Sequence, residues 1–138
     1  MDTVYTAIAT ATGDGRNGHV ASEDGFLDLD VRIPKEMGGA GGASNPEELF
    51  AAGYAACFHS AMKFVGKDMG ADLTGSAVSA SVSIGTLASG GFGLAVELDV
   101  HVPALSHDAA LAVAEAAHQT CPYSNATRGN VDVTLTVI

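Results

Sequence analysis

Four stretches of this chain alternate apolar and polar residues with a period of two, and that pattern restricts its possible folds more than any other feature. They are Leu27 to Ile33, Val78 to Ile84, Val96 to Val102 and Val131 to Val137. A β-strand points successive side chains to opposite faces, so each stretch has one face for a core and one for water. One-sided strands of this kind belong to antiparallel sheets. Val4 to Thr12 forms a further β-prone segment, and Gly13-Asp14-Gly15-Arg16-Asn17-Gly18 after it has the glycine and asparagine content of a hairpin loop. Arg16 therefore sits on a tight turn.

Two helices interrupt the strands. Asn45 is a good N-cap, Pro46 suits the first helical position, and Glu48 stands where a capping-box glutamate bonds back to the cap. In the helix that follows, Leu49, Ala52, Ala56, Met62 and Val65 recur near helical spacing, and the small residues from Ala51 to Ala56 allow close packing, so the helix is expected to be central and buried. A second helix runs from a Ser106 cap to about Gln119 and ends at Cys121-Pro122, because the residue before a proline is pushed out of the α region. The resulting order is three strands, a long helix, two strands, a helix and a last strand, an α+β arrangement in which residues 1–138 form one domain. Gly38 to Ser44 is glycine-rich and joins strand to helix as a mobile loop, without the lysine-serine ending of a phosphate-binding P-loop.

Charge excludes one class of partner. A formal net charge of -10 repels a polyphosphate backbone, so nucleic-acid binding is not expected. The longest apolar run, around Phe50 to Phe58, contains Gly53 and meets His59 and Ser60 at once, too short to span a membrane. The first residues carry no positive region followed by an apolar one, and a cytoplasmic location is expected.

Within that frame the two cysteines carry the chemistry. Cys57 lies in the apolar run Ala55-Ala56-Cys57-Phe58, and Cys121 precedes Pro122. Far apart in sequence, they form neither a CxxC hairpin nor half of a zinc ribbon, and only the fold can bring them together. In a reducing compartment such a pair is more often transient and catalytic than structural. The competing reading is that a cysteine in an alanine-rich helix is an inert small hydrophobe. A reactive thiolate needs a nearby cation or hydrogen-bond donors. Lys63 and Lys67 follow Cys57 by six and ten residues, off its helical face, and Arg32 and Lys35 read as solvent-facing charges. Arg16, on its rigid turn, is the favoured cation, and Glu47 is the freer of two carboxylates that could pair with it. Glu47 precedes Cys57 by ten residues, about 15 Å along a helix axis. Either Arg16 bridges the two in an extended arrangement, or Glu47 serves the thiol of a partner subunit. Cys57-x-His59 and His118-x-x-Cys121 also raise a zinc site, but residues two apart on a helix diverge by about 200°, which disfavours Cys57 and His59 gripping one ion. No Ser-His-Asp or HExxH pattern is present.

Two long segments, Asn45-Pro46-Glu47-Glu48-Leu49-Phe50-Ala51-Ala52-Gly53-Tyr54-Ala55-Ala56-Cys57-Phe58 and Cys121-Pro122-Tyr123-Ser124-Asn125-Ala126-Thr127-Arg128-Gly129-Asn130, resemble the two cysteine motifs of organic hydroperoxide resistance (Ohr) proteins, a branch of the Ohr/OsmC superfamily. The similarity extends to Gly39-Ala40-Gly41-Gly42 and Gly90-Gly91-Phe92-Gly93. The resemblance implies an OsmC/Ohr-like α+β fold, antiparallel sheets around a long central helix and a second helix, assembled as an intertwined homodimer with active sites at the subunit interface. It implies a thiol peroxidase for alkyl or fatty-acid hydroperoxides, with Cys57 as peroxidatic and Cys121 as resolving cysteine, and with Arg16 and Glu47 as the arginine and glutamate of the site. It also implies recycling by a dithiol, typically a lipoylated protein, and no haem, flavin or metal. His59 stands where an apolar or small residue is expected, and its role stays open.

Phe50, Tyr54, Phe58, Phe64, Phe92 and Tyr123 are available as apolar walls for such a substrate, and about half of them are expected to be plain core. Two other classes of function compete. One is a stress protein carrying a lipid-like ligand, whose thiols would be unreactive near neutral pH. The other is a redox sensor, which would need an effector surface.

Overall fold

Sheet, turn and helix follow one another along a computed structural model that describes Met1–Ile138. The chain divides into two compact units, Met1–Leu49 and Phe50–Ile138. In the first unit, β1 (Ala9–Thr12), β2 (His19–Ser22) and β3 (Asp28–Asp30) form an antiparallel sheet in chain order. Thr12 pairs with His19, so Gly13 to Gly18 is the loop of a hairpin, as its glycines predict, with Arg16 on a 3-10 turn over Gly15–Asn17. Both strands expected here are shorter than the alternation suggests. Only Ala9–Thr12 of the first makes a ladder, and that ladder is exposed along its whole length. The third strand stops at Asp30, and its faces sort in part as expected: Leu29 is half-buried, Val31 buried and the aspartates exposed, but Leu27 is exposed. After β3 the main chain turns to Ser44: Val31 bridges Ser44, and the Arg32 N–H donates to the Ser44 carbonyl at 2.8 Å, which ties the end of the glycine-rich segment to this sheet.

Helix α1 (Pro46–Asp68) starts where the cap residues place it, and the Glu48 N–H donates to Asn45 Oδ1 at 2.9 Å. The capping box is not completed as expected. Glu48 instead accepts from the Ser44 hydroxyl at 2.9 Å, a rotatable donor one residue upstream of the cap. The unit boundary falls inside this helix.

In the second unit, β4 (Ala77–Thr86) and β5 (Phe92–His101) form a long antiparallel hairpin, and β6 (Asp132–Val137) lies beside β5. That last pairing is parallel, which corrects the expectation of purely antiparallel sheets. A return to the same direction requires a crossover, here helices α2 (His107–Thr120) and α3 (Pro122–Thr127). Helix α3 was not expected. Cys121-Pro122 does end α2, but a proline excluded from a helix interior suits a first turn, so the same dipeptide starts the next helix. Ser106 caps α2 as expected, accepting from the Ala109 N–H at 3.3 Å.

One core holds this unit together. Val96, Leu98 and Val100 of β5, Tyr54, Phe58, Ala61 and Met62 of α1, Ala110, Val113, Ala114 and Ala117 of α2, and Cys121 all belong to it. The buried stripe of α1 is only partly the one expected: Met62 is fully buried and Val65 packs on the core, but Ala52 and Ala56 are exposed, while Tyr54 and Phe58, eight and four residues before Met62, are fully buried. Burial stabilises in proportion to apolar area, so the large side chains take the inward face. No helix is long and apolar enough to cross a membrane.

Candidate active site

Cys57 occupies α1 one turn beyond Tyr54, and Cys121 is the hinge residue between α2 and α3. Their sulfurs lie 3.6 Å apart, both as free thiols. Cys121 is completely buried, its N–H donating to the Ala117 carbonyl and its carbonyl accepting from the Asn125 N–H. The proline that ends α2 leaves the Cys121 main chain with helical partners on both sides. Because α3 begins at once, Cys121 is fixed on both sides.

Cys57 is half-buried, and burial is the main influence pushing its thiol pKa up; proximity to Cys121 adds to this, while a hydrogen bond from the Tyr123 backbone N–H pulls the other way. Close approach of α1 to Tyr123 depends on Gly53, where a Cβ would lie 3.0 Å from the tyrosine oxygen. Two cations of this unit are engaged elsewhere: Lys63 Nζ donates to the Leu73 carbonyl at 2.7 Å, and Arg128 donates to Asn125 Oδ1 and to the His118 carbonyl. Within the second unit, no cation counters the burial of Cys57.

The first unit holds the charged half of the predicted set. Arg16 grips Glu47 through two parallel hydrogen bonds, Nη1 to Oε2 at 2.9 Å and Nη2 to Oε1 at 2.7 Å. Such fork-to-fork geometry fixes the plane of the guanidinium as well as its position. The hydrogen bond from Arg16 holds the Glu47 carboxyl below the usual carboxylate range, and Glu47 is the more buried partner, 13% exposed against 37% for Arg16. The expected pairing of Arg16 with Glu47 is thus present. Glu47 and Cys57 remain ten residues apart on one helix.

Arg32 is not the plain solvent-facing charge expected from sequence. Its Nη1 donates to the carbonyls of Asn17, Gly18 and Val31 at 3.1, 3.0 and 2.6 Å, and Asn17 Oδ1 accepts from the Ile33 N–H at 3.1 Å. These bonds tie the Arg16 turn to the segment that follows β3. The turn also needs Gly18, since a Cβ there would run into the Thr12 carbonyl oxygen. No sequence signal marks Arg32 for this task, because its partners are main-chain carbonyls.

The remaining candidates separate. Phe50, Tyr54 and Tyr123 cluster with ring centroids 5.7 to 6.1 Å apart, Phe58 is core, and Phe64 and Phe92 are exposed. Of the two histidines weighed for zinc, His59 bonds Ser76 at 2.9 Å and His118 bonds Ser124 at 2.8 Å. No group of three or more histidine, cysteine or acidic side chains is placed to hold a metal.

The family model described as OsmC-like protein matches residues 39–136. An organic hydroperoxide resistance protein of Xanthomonas axonopodis pv. citri is 53% identical over 136 residues, covering 97% of this chain and 94% of that one. The organic hydroperoxide resistance protein OhrB of Bacillus subtilis is 45% identical, covering 96% of each chain. The crystal structure of an organic hydroperoxide resistance protein from Elizabethkingia anophelis superposes with a TM-score of 0.94 at 54% identity, covering 99% of this chain and 98% of that one. With two cysteine segments, a paired arginine and glutamate and full-length similarity all in agreement, the chain belongs to the OsmC-like family, in the branch of the organic hydroperoxide resistance proteins.

Proposed function

We propose that this protein confers resistance to organic hydroperoxides as a cysteine-based peroxidase, reducing alkyl or fatty-acid hydroperoxides to alcohols. The observation that carries the reading is the pair of free thiols 3.6 Å apart in a chain that also holds a guanidinium locked bidentately on a carboxylate. The Cys57 thiolate attacks the distal peroxide oxygen, the O–O bond breaks, and a proton goes to the departing alkoxide. The products are an alcohol and Cys57 sulfenic acid. The Cys121 sulfur then attacks the sulfenic sulfur, the S–O bond breaks and water leaves, giving the Cys57–Cys121 disulfide. A dithiol reductant, a lipoyl group on a protein partner, returns the disulfide to two thiols.

Arg16 supplies the missing cation, stabilising the thiolate and the departing alkoxide, with Glu47 holding its plane. Burial raises the Cys57 pKa, so the thiolate depends on such help. With Glu47 about 15 Å from Cys57 along α1, the reading that fits is an intertwined homodimer in which the Arg16–Glu47 pair of one copy serves Cys57 of the other. In this reading residues 1–138 act as one domain, in the cytoplasm, and the Phe50 and Tyr123 rings favour an apolar peroxide over hydrogen peroxide.

Stopped-flow oxidation with cumene hydroperoxide tests the assignment on the wild type, Cys57→Ser and Cys121→Ser. Cys57→Ser should lose peroxide consumption altogether, and Cys121→Ser should show one fast oxidation and then stall or over-oxidise. Wild-type consumption by Cys57→Ser would overturn the reading.

A further inference from the structure

A chain of hydroxyls and one imidazole runs between the three elements that meet at the cysteines. The Tyr54 hydroxyl of α1 hydrogen-bonds both Ser124 Oγ and Thr127 Oγ1 of α3, each at 3.0 Å. Ser124 Oγ also bonds His118 Nδ1 of α2 at 2.8 Å, and Thr127 Oγ1 donates to the Ser124 carbonyl at 3.2 Å. Tyr54 and Ser124 are fully buried, and Thr127 is 3% exposed. No buried side-chain polar atom is left without a partner. Arg128 closes the far end by donating to the His118 carbonyl.

The location of this network is what gives it meaning. Tyr54 is one helical turn before Cys57, Ser124 is one turn after Cys121, and His118 is in the last turn before Cys121. Cys121 itself makes only main-chain bonds besides its approach to Cys57. Closing a disulfide needs the sulfurs to move from 3.6 Å to about 2.05 Å, a step of about 1.5 Å. A reaction that short is governed by how well the two main-chain segments are held in register. A satisfied polar network in a core holds such a register, because a partner lost inside the core leaves a buried polar group unpaired.

We propose that Tyr54, Ser124, Thr127 and His118 form a strap that positions Cys121 against Cys57 and so sets the rate at which the pair closes to a disulfide. None of the four touches the reacting sulfurs in this role; they are positioning residues. Its consequence for peroxide turnover rests on the peroxidase reading above: with the strap cut, Cys57 sulfenic acid persists, and a second peroxide oxidises it to sulfinic acid.

The test uses two oxidants on the full-length protein, cumene hydroperoxide and diamide. Diamide takes two electrons and two protons from the thiol pair and becomes the hydrazine, so it drives closure without peroxide chemistry. Tyr54→Phe and Ser124→Ala should close the disulfide about tenfold more slowly than wild type with diamide, as read by mass spectrometry of quenched samples. With cumene hydroperoxide, the first oxidation of Cys57 should stay within about twofold of wild type while the sulfinic product accumulates. Thr127→Ser keeps its hydroxyl and should behave as wild type, which separates loss of the hydrogen bond from general loosening of the core. Closure by diamide at the wild-type rate in Ser124→Ala, the milder change, overturns the strap. Slow closure with diamide in protein that never reacts with cumene hydroperoxide supports the strap and overturns the peroxidase reading instead.

Discussion

The Arg16–Glu47 pair and the Cys57–Cys121 pair are held in place by opposite means. The charged pair belongs to a unit whose sheet is short and mostly exposed, and its position comes from hydrogen bonds: Arg32 on three carbonyls, Asn17 on the Ile33 N–H, and the bidentate grip itself. The thiol pair belongs to a unit with a closed apolar core, and its position comes from packing and a buried hydroxyl chain. The Arg16 guanidinium stays partly solvated and is paired with the more buried Glu47, whereas sulfur, a soft and weakly polar atom, tolerates the core and is kept in register by it. The difference teaches that damage to the two halves should be read by different instruments, stability for the core and rate for the hairpin.

The largest expected effect tests the core side. Leu98→Ala removes a fully buried side chain of β5 and should destabilise the protein by about 2–5 kcal/mol in denaturant unfolding. Arg16→Ala should do the reverse, leaving the unfolding midpoint almost unchanged while lowering kcat/KM for an organic hydroperoxide on the order of 100-fold, the scale for removing one donor to a developing anion. If Arg16→Ala proved as destabilising as Leu98→Ala, the division between the halves would fail.

Arg32→Ala sharpens the same contrast, since it leaves Arg16 and Glu47 intact but frees the turn that carries them. Catalysis should fall about tenfold, mostly in kcat, and the pH at which Cys57 is alkylated by iodoacetamide should move upward. An unchanged alkylation profile would mean that the turn holds its shape without Arg32.

The smallest effect concerns pH. His19 of β2 lies between Asp30 and Asp28 of β3, at 2.8 and 2.6 Å, and these carboxylates raise its pKa, the Asp30 hydrogen bond most. A pKa raised in the folded state means that the contact favours the fold fully below the unfolded value of about 6.5 and is lost as pH rises through the folded one. Amide protection in β2 and β3 should therefore weaken slightly above about pH 6.5, while β5 stays protected, and His19→Gln should remove the difference. Glu47 has the opposite sign. Its lowered pKa keeps the Arg16 pair intact until pH falls below the ordinary glutamate value of about 4.3, so a fall in activity between about pH 7 and about pH 5 should persist unchanged in Glu47→Gln.

Much of this molecule is legible in its residues because the responsible forces are local. Asn45 and Pro46 start α1 by filling orphan backbone bonds within one turn, Ser106 does the same for α2, and the alternation of β4, β5 and β6 reports each strand's own two faces. The cysteine motifs were legible as a resemblance, and the pairing of Arg16 with Glu47 could be argued from charge alone. Other features were hidden for a physical reason. The parallel placement of β6 depends on which edge of the sheet stays open after a crossover, and α3 depends on a proline that can stop one helix and start another. Whether Tyr54 or Ala52 faces inward depends on the surface the helix meets. The bonds of Arg32 to the Asn17 and Gly18 carbonyls and the bond of Tyr54 to Ser124 join residues far apart in the chain. Sequence by itself determined where the strands of the second unit and the helix starts lie, since each is written in neighbouring residues. Only the tertiary structure decided that two distant sulfurs lie 3.6 Å apart, because that distance is set by the packing of three helices on one sheet.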